Sequence, residues 1–323
     1  LVEIRVPTFR RPEMLRRCLK SIVAQSHQDW VALVLDDSPD KEAEEIVSEF
    51  NESRISYQAN AVNLGCSGNI DKAFSSELLG DGSYACVVED DNWILPEFIS
   101  ANIDAIHKTG CRIIQRNQKI IMESACSSAA QQLGTTRGEV FGAHDQRLSP
   151  LEIRAAIFFC EGISNGGLFW KLESDISLVV GPAVKFSPMQ EFCRSLHITE
   201  DIYYAAEPLA IFSMASNGAT TREPLDNRRF NRGRQSIIIQ MLNHHGTALV
   251  DTARMFYLRN DRNLGELAVI LADTGWGNLS VANVSKLRLA KARFKGVAKR
   301  WFISDPLEAY WQAGGLKTLK SLA

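Results

Sequence analysis

Short apolar runs that stop abruptly at polar clusters limit most tightly how this chain can fold. WVALVL (Trp30–Leu35) has the length of a buried strand, is too short for a buried helix, and ends at Asp36-Asp37. A second run, Val2–Pro7, leads into Pro7-Thr8-Phe9-Arg10, and a third, Tyr84–Val88, leads into Glu89-Asp90-Asp91. Helical patterns lie between them. Pro12 suits a first helical turn, and Leu15, Cys18, Leu19, Ile22 and Val23 recur at spacings of three and four. Glu42–Phe50 and Ser67–Leu79 read as further helices, Arg54–Ala59 and Cys111–Gln115 as further strands, and Pro96 as the start of another helix. Strand alternating with helix predicts a mostly parallel sheet with helices on its faces. Ligands of such open sheets bind beyond the carboxyl ends of the strands, so the three polar clusters are expected to meet at one edge.

Several chemistries lose support at once. No G-x-G-x-x-G follows a strand and no G-x-x-x-x-G-K-[ST] occurs, which argues against dinucleotide and P-loop sites. The seven cysteines are scattered singly without a C-x-x-C, so neither a disulfide framework nor a zinc site is expected. They read as small buried hydrophobes of a reducing compartment, and a cytoplasmic location follows as an expectation. No apolar run approaches the ~18 residues that span a bilayer, and no signal-peptide pattern opens the chain. With Leu1 rather than Met at the start, a short upstream piece is expected. The formal net charge of -2 gives no support for a nucleic-acid partner. It hides an asymmetry, however: from Lys286 to the end, nine Lys/Arg face two acids, a balance of +7, leaving -9 for the rest.

The segment 117–185 carries small and polar stretches (SACSSAAQQLGTTRGE) that read as a long loop or lid. Ser187-Pro188-Met189-Gln190 has the form of a helix start, with Ser187 as cap and Pro188 in the first turn. A strand-like end lies within Tyr203–Phe212, and the patterns are mostly helical from Gln235 onward.

Three consecutive carboxylates at a strand end raise one another's pKa unless a positive charge sits among them. Mg²⁺ and Mn²⁺ are oxygen-seeking cations of that kind, often held by one or two carboxylates together with substrate phosphates. In an extended chain Glu89 and Asp91 would point one way and Asp90 the other.

Four blocks, VPTFRRPEMLRRCLKSI, VLDDSPD, NLGCSGNIDKAF and VVEDDNWILPEFI, stand in this order over roughly residues 2–100. Together they resemble the family-2 glycosyltransferases of GT-A fold, and Glu207-Pro208-Leu209-Ala210 resembles the late strand motif of the same domain. The resemblance implies a Rossmann-like α/β domain over 1–225, with a nucleotide-sugar half (1–115) and an acceptor half (116–225). A C-terminal all-α region would follow over 226–323. It implies that Pro7, Thr8 and Arg10 line the nucleotide pocket and that Asp37, with Asp36 beside it, hydrogen-bonds the base. It places Asn63, Gly65 and Asn69 beside the nucleotide, Glu89 and Asp90 toward the sugar nucleotide, and Asp91 on a Mn²⁺ or Mg²⁺ that bridges the diphosphate. The reaction implied is an inverting transfer from a UDP- or dTDP-type sugar to an acceptor hydroxyl of a glycan, a lipid-linked sugar or a natural-product glycoside, as in polysaccharide biosynthesis.

The catalytic base departs from the pattern. Counting back from Glu207 by the family's spacing lands on Met189, where there is no acid. Glu191 is the nearest carboxylate and the expected base, with Glu161 and Asp175 as rivals. The R-x-H segment that often follows the late strand is also missing, its neighbourhood holding Ser213 and Ser216. Arg222, Arg228 and Arg229, in a stretch with Asn231 and Gly233, are expected to form a movable loop that contacts the diphosphate or the acceptor. KLRLAKARFKGVAKRWF, from Lys286, reads as a basic amphipathic helix. It suits either a membrane surface, with the enzyme peripheral at the inner membrane face, or a packing or homodimer contact. Two other classes remain: a nucleotidyltransferase that makes a nucleotide sugar, and a non-catalytic relative that binds a sugar or a partner.

Overall fold

The computed structural model describes residues 1–76, 82–123, 131–173, 175–215, 227–276 and 284–320. The chain forms two compact units, each discontinuous in sequence: 1–147 with 163–179 and 201–222, and 148–162 with 180–200 and 223–323.

The first unit is built on one sheet. Its strands are β1 (Val2–Thr8), β2 (Trp30–Asp36), β3 (Ile55–Ala59), β4 (Tyr84–Val87), β5 (Trp93–Ile94), β6 (Ile113–Glu123), β7 (Gln131–Thr135), β8 (Gln146–Leu148), β9 (Leu168–Lys171) and β10 (Ile202–Ala215). The strand order is β3-β2-β1-β4-β9-β6-β10-β5, with β7 and β8 off that path. β1 runs parallel to β2 and β4, and β2 parallel to β3. β9 is antiparallel to both β4 and β6, while β10 is parallel to β6 and antiparallel to β5. The register places Thr8 beside Asp36, so β1 and β2 end together. Five helices accompany these strands: α1 (Pro12–Val23), α2 (Glu42–Phe50), α3 (Gly65–Ala73), α4 (Phe98–Thr109) and α5 (Gly138–Phe141). α1 buries Leu15, Cys18, Leu19 and Ile22 against the sheet core of Val2, Ile4, Val6, Ala32 and Val34. Val23, expected on the same face, stands at its edge and is exposed.

Two expectations for this unit are corrected. α3 ends at Ala73, with residues 77–79 of the expected Ser67–Leu79 helix outside the described residues. The 117–185 segment is not a long loop. β6 extends to Glu123, β7 pairs with it, and β9 returns to the sheet. Its polarity concealed strand because the polar side chains are buried and satisfied within the sheet layer. Gln115 Oε1 accepts from the Ser164 amide (2.8 Å), and Ser164 Oγ donates to Gln118 Oε1 (2.6 Å). Arg116 donates to Asn102 Oδ1 (2.9 Å) and to the Glu207 carbonyl (3.1 Å). Of the expected lid stretch, 124–130 lie outside the described residues.

The second unit is helical: α6 (Pro150–Ala156), α7 (Ser187–His197), α8 (Asn227–Arg259), α9 (Leu264–Thr274) and α10 (Lys286–Phe302), followed by short helical segments from Glu308 to Lys320. Gly246, with φ 55° and ψ -132°, breaks α8 into two stretches. The helix cap read at Ser187 is corrected: Ser187 lies inside α7, whose cap position is Phe186 with no side-chain hydrogen bond. The capping box occurs instead at Ser149 and Glu152, each side chain bonded to the other residue's amide at the start of α6.

Candidate active site

Parallel strands β1, β2 and β4 deliver their polar ends to one place, as the topology requires. The Asp37 amide donates to the Thr8 carbonyl (3.1 Å), the Arg10 amide to Ser38 Oγ (2.9 Å), and Thr8 Oγ1 to Asp90 Oδ2 (2.8 Å). Pro7, Thr8, Arg10, Asp36, Asp37 and Asp90 are thereby brought together, as expected. Arg10 adopts a left-handed φ of 53°, and its exposed guanidinium reaches Asp40 at 3.5 Å.

The acids at the end of β4 are not extended. The Asn92 amide donates to the Glu89 carbonyl (2.9 Å), closing a turn over Glu89–Asn92. That turn overrides the alternation expected of a strand. Asp90 and Asp91 face a common cation instead of opposite sides: one Arg11 nitrogen, Nη1, lies 3.2 Å from Asp90 Oδ1 and 2.8 Å from Asp91 Oδ2. Asp90 also accepts from the Phe9 amide (3.3 Å), while Glu89 accepts from Asn92 Nδ2 (2.9 Å). Arg11 went unremarked in the sequence, where it reads as one of several basic residues in FRRPEMLRR. The signal that would have found it is the need of three adjacent acids for a positive charge. Burial pushes the Asp90 carboxyl up to about 6, with Arg11 pulling it down and Asp91 adding to the rise. For Arg11, burial works against the charge, but Asp90 and Asp91 outweigh it and the pKa is raised.

Around this cluster Arg17 donates to the Asp91 carbonyl (2.8 Å), pairs with Glu123, and lies over the Trp93 ring at 4.1 Å. Ser213, in the neighbourhood of the missing R-x-H segment, donates its hydroxyl to Glu123 and its amide to Asn92 Oδ1 (both 2.9 Å). Ser216 lies outside the described residues.

The end of β2 is arranged differently. Asp36 is fully buried and accepts from the Ser38 amide (2.8 Å) and the Tyr57 hydroxyl (3.0 Å). Asp37 Oδ1 accepts from Asn60 Nδ2 and the Leu64 amide (both 2.8 Å), and Oδ2 accepts from the Gly65 amide (2.9 Å). Its carboxylate thus caps the start of α3, where the dipole favours negative charge. Asn63 donates to the Asp37 carbonyl (3.0 Å). Asn69 is buried and ties the ends of two strands, donating to the Leu35 (2.9 Å) and Thr8 (3.3 Å) carbonyls. Asn60 joins Asp37 to Asn69, and Lys72 Nζ donates to Asn60 Oδ1 (2.7 Å). Burial lowers the Lys72 pKa and Asp37 raises it, with a net lowering.

A hard divalent cation needs about six oxygen ligands. Among the described residues, no group of three or more His, Cys, Asp or Glu is placed to hold one. Asp90 and Asp91 nevertheless present carboxylates to one point, and Thr8, Phe9 and Arg11 already occupy Asp90. This donor set fits an ion that enters with a diphosphate and takes most of its ligands from phosphate and water.

The remaining expected site residues belong to the helical unit. Glu191 is half-buried on α7, where its carbonyl accepts from Ser195 Oγ (2.7 Å). Met189 and Gln190 beside it are buried. Of the rivals, Asp175 in the sheet unit is a surface acid paired with Arg112 at 2.9 Å, and Glu161 precedes Gly162 in the helical unit. Arg228 and Arg229 lie exposed in the first turn of α8, and Arg222 lies outside the described residues. The expected movable loop is helix from Asn227. Arg234 donates to the Ile157 (3.2 Å) and Phe158 (3.0 Å) carbonyls. A Cβ added at Gly233 would lie 2.7 Å from Met189 Sδ, so this glycine serves close packing and not hinge motion.

Residues 3–164 match the family model described as glycosyl transferase family 2. The chain is 28% identical over 102 residues to WcaA of Escherichia coli K12, a glycosyl transferase named for colanic acid biosynthesis, covering 31% of this chain and 36% of WcaA. It is 31% identical over 101 residues to the uncharacterized glycosyltransferase MJ1057 of Methanocaldococcus jannaschii, covering 30% of this chain and 34% of that protein. The chain thus spans about a third of the length of these curated relatives. Among solved structures, S. aureus TarS 1-349 in complex with UDP superposes with a TM-score of 0.58 at 15% identity, over 97% of this chain and 91% of TarS 1-349. GalNAc-T7 with UDP, GalNAc and Mn²⁺ gives 0.50 at 8% identity, over 81% of this chain and 55% of that one. These likenesses establish the fold: GT-A-type α/β with a C-terminal helical region.

Proposed function

The chain belongs to glycosyl transferase family 2 and is a glycosyltransferase; from that premise we propose that it moves a sugar from a UDP- or dTDP-type donor to an acceptor hydroxyl with inversion. One observation carries the reading. The ends of β1, β2 and β4 gather a carboxylate that holds a loop (Asp37) and an acid pair under one guanidinium (Asp90, Asp91 and Arg11) within a single bonded network.

In this reading Asp37 and the 60–65 loop receive the base, and Pro7, Thr8 and Arg10 form the adjoining wall. Asn63 and Gly65 keep the loop in shape, and Asn69 braces the two strands beneath it. Asp36 supports Asp37 from within the sheet. Glu89 and Asp90 border the sugar nucleotide, and Asp91 would hold Mn²⁺ or Mg²⁺. When bound, the ion would neutralise charge that develops on the departing diphosphate. Arg11, which already balances the acids, would share that charge with the phosphate oxygens. Glu191 is our assignment for the base that takes the acceptor proton, and Arg228 and Arg229, with Arg222, for acceptor or diphosphate contacts. The acceptor is a glycan, a lipid-linked sugar or a natural-product glycoside.

Calorimetric titration of a panel of nucleotide sugars, with and without Mn²⁺, tests the donor half. At least one UDP- or dTDP-sugar should bind more tightly with the ion, and binding by none would remove the reading. Glu191→Gln tests the base: turnover should fall by about 10²–10⁴-fold at unchanged donor affinity. The buried Met189 at the position counted for the base favours a second reading, a donor-binding relative without transfer. Donor binding with neither slow donor hydrolysis nor transfer would select it.

A further inference from the structure

The helical unit holds a surface that donor chemistry does not use. α10 carries seven Lys/Arg and no acid between Lys286 and Phe302. It has two faces. Leu289, Ala292, Gly296 and Lys299, spaced three and four apart, form the face turned to α9. The approach is close: a Cβ added at Gly296 would lie 1.9 Å from the Asp273 carbonyl. Lys299 Nζ bonds both Asp273 carboxylate oxygens (2.9 and 2.7 Å), and Arg300 donates to the Thr274 carbonyl (3.2 Å). The helix is therefore already docked, and the docking uses small residues and cations.

The larger apolar residues take the other side. Leu287, Phe294, Val297 and Trp301 recur at seven, three and four, a single helical stripe. They are exposed, Phe294 at 75% and Trp301 at 81%, with Phe302 beside them at 86%. Arg293 and Arg300 border the stripe on one side, and Lys291 and Lys295 on the other. The latter pair, with Arg288 and Lys299, form one wall of a cavity of about 370 Å³ between α8, α9 and α10. Arg234, whose guanidinium is bonded to the Ile157 and Phe158 carbonyls, also lines it from α8, and the Asp273 carboxylate, paired with Lys299, lines it from α9. Gln235, almost fully buried, also lines the cavity, and its Oε1 meets no donor.

We infer that α10 seats this protein on an anionic phospholipid surface: the Leu287–Phe294–Trp301 stripe enters the acyl boundary, and the cavity beside it takes a headgroup phosphate. An apolar stripe bordered on both sides by cations matches the two layers of such a surface, apolar below and negative above. A second copy of the same helix would instead set cation rows against each other. The inference rests on the helical unit alone and is independent of the donor reading.

Flotation of the full chain with phosphatidylcholine vesicles, with and without phosphatidylglycerol, is the test. Binding should require phosphatidylglycerol and weaken with salt. F294S/W301S should abolish it, and K291Q/K295Q should weaken it by about fivefold per charge removed. Circular dichroism and thermal melting of both variants should match the parent, because the changed side chains are exposed. Three results would overturn the inference: equal binding to phosphatidylcholine alone; phosphate or glycerol phosphate binding the cavity without any vesicle binding; or a concentration-dependent dimer in sedimentation that F294S/W301S disperses while vesicles bind nothing.

Discussion

Two pairs of adjacent aspartates end neighbouring parts of the sheet, Asp36-Asp37 at the end of β2 and Asp90-Asp91 after β4, and they are held in opposite ways. Neutral donors satisfy the first pair: amides of Ser38, Leu64 and Gly65, the Tyr57 hydroxyl and the Asn60 side chain. The second pair relies on a full positive charge from Arg11, with the Thr8 hydroxyl and Phe9 amide assisting Asp90. A carboxylate satisfied by amides keeps its place whatever arrives. One balanced by a guanidinium can exchange that counter-charge for another. The first arrangement suits a rigid recognition loop, and the second suits a place where a dication and a diphosphate enter and leave.

Removing an acid from the exchangeable pair should have the largest effect. We expect Asp91→Ala to lower turnover by about 10³-fold, the equivalent of ~4 kcal/mol of lost Lewis-acid stabilisation. The Mn²⁺ dependence of donor binding should vanish with it. Retention of that dependence in a titration would end the distinction between the two pairs. Arg11→Ala should come next. The pair is mostly buried, so leaving two acids without their cation should cost about 2–3 kcal/mol, somewhat below the ~3–5 of a fully buried pair. Denaturant unfolding in EDTA should show that loss, and added Mn²⁺ should restore part of it.

The third effect separates the pairs by kind. Asp37→Asn puts an amide donor where the carboxylate accepts from Gly65 or from Leu64 and Asn60. With the amide turned to Gly65, one part-buried hydrogen bond is lost, at about 1–2 kcal/mol. Unlike Arg11→Ala, this loss should be indifferent to Mn²⁺. A melt that Mn²⁺ rescues equally in both variants would show that the aspartate pairs are not functionally distinct.

These contrasts explain which parts were legible in the sequence. Apolar runs of strand length and their polar ends predicted β1, β2, β4 and the meeting of their termini, because burial and connectivity alone dictate both. The direction of each acid was not legible, because the Glu89–Asn92 turn depends on a single backbone bond that period-two reasoning ignores. Arg11 was hidden among FRRPEMLRR, since only a long-range contact tells it from Arg16, which pairs at the surface with Glu13 and Glu49. β6 was hidden for the converse reason. The strand read at Cys111–Gln115 is its start, but Asn117 and Gln118 read as loop, although both are buried, with partners contributed from 136, 164 and 206.

The smallest expected effect is a slope. Burial holds the Asp90 carboxyl at about 6 in the folded chain, against ~3.9 for an unperturbed aspartate. The folded state therefore binds more protons than the unfolded state between those values. The stability tied to Asp90 is full below about 4 and lost as pH rises through about 6. Asp90→Asn should remove this component, so that the variant's loss of stability from pH 4 to pH 6, followed by denaturant unfolding in EDTA, is shallower than the parent's. An unchanged slope would mean that Arg11 already keeps Asp90 ionised at pH 4. The exchange of counter-charge would then have to rest on Asp91 alone.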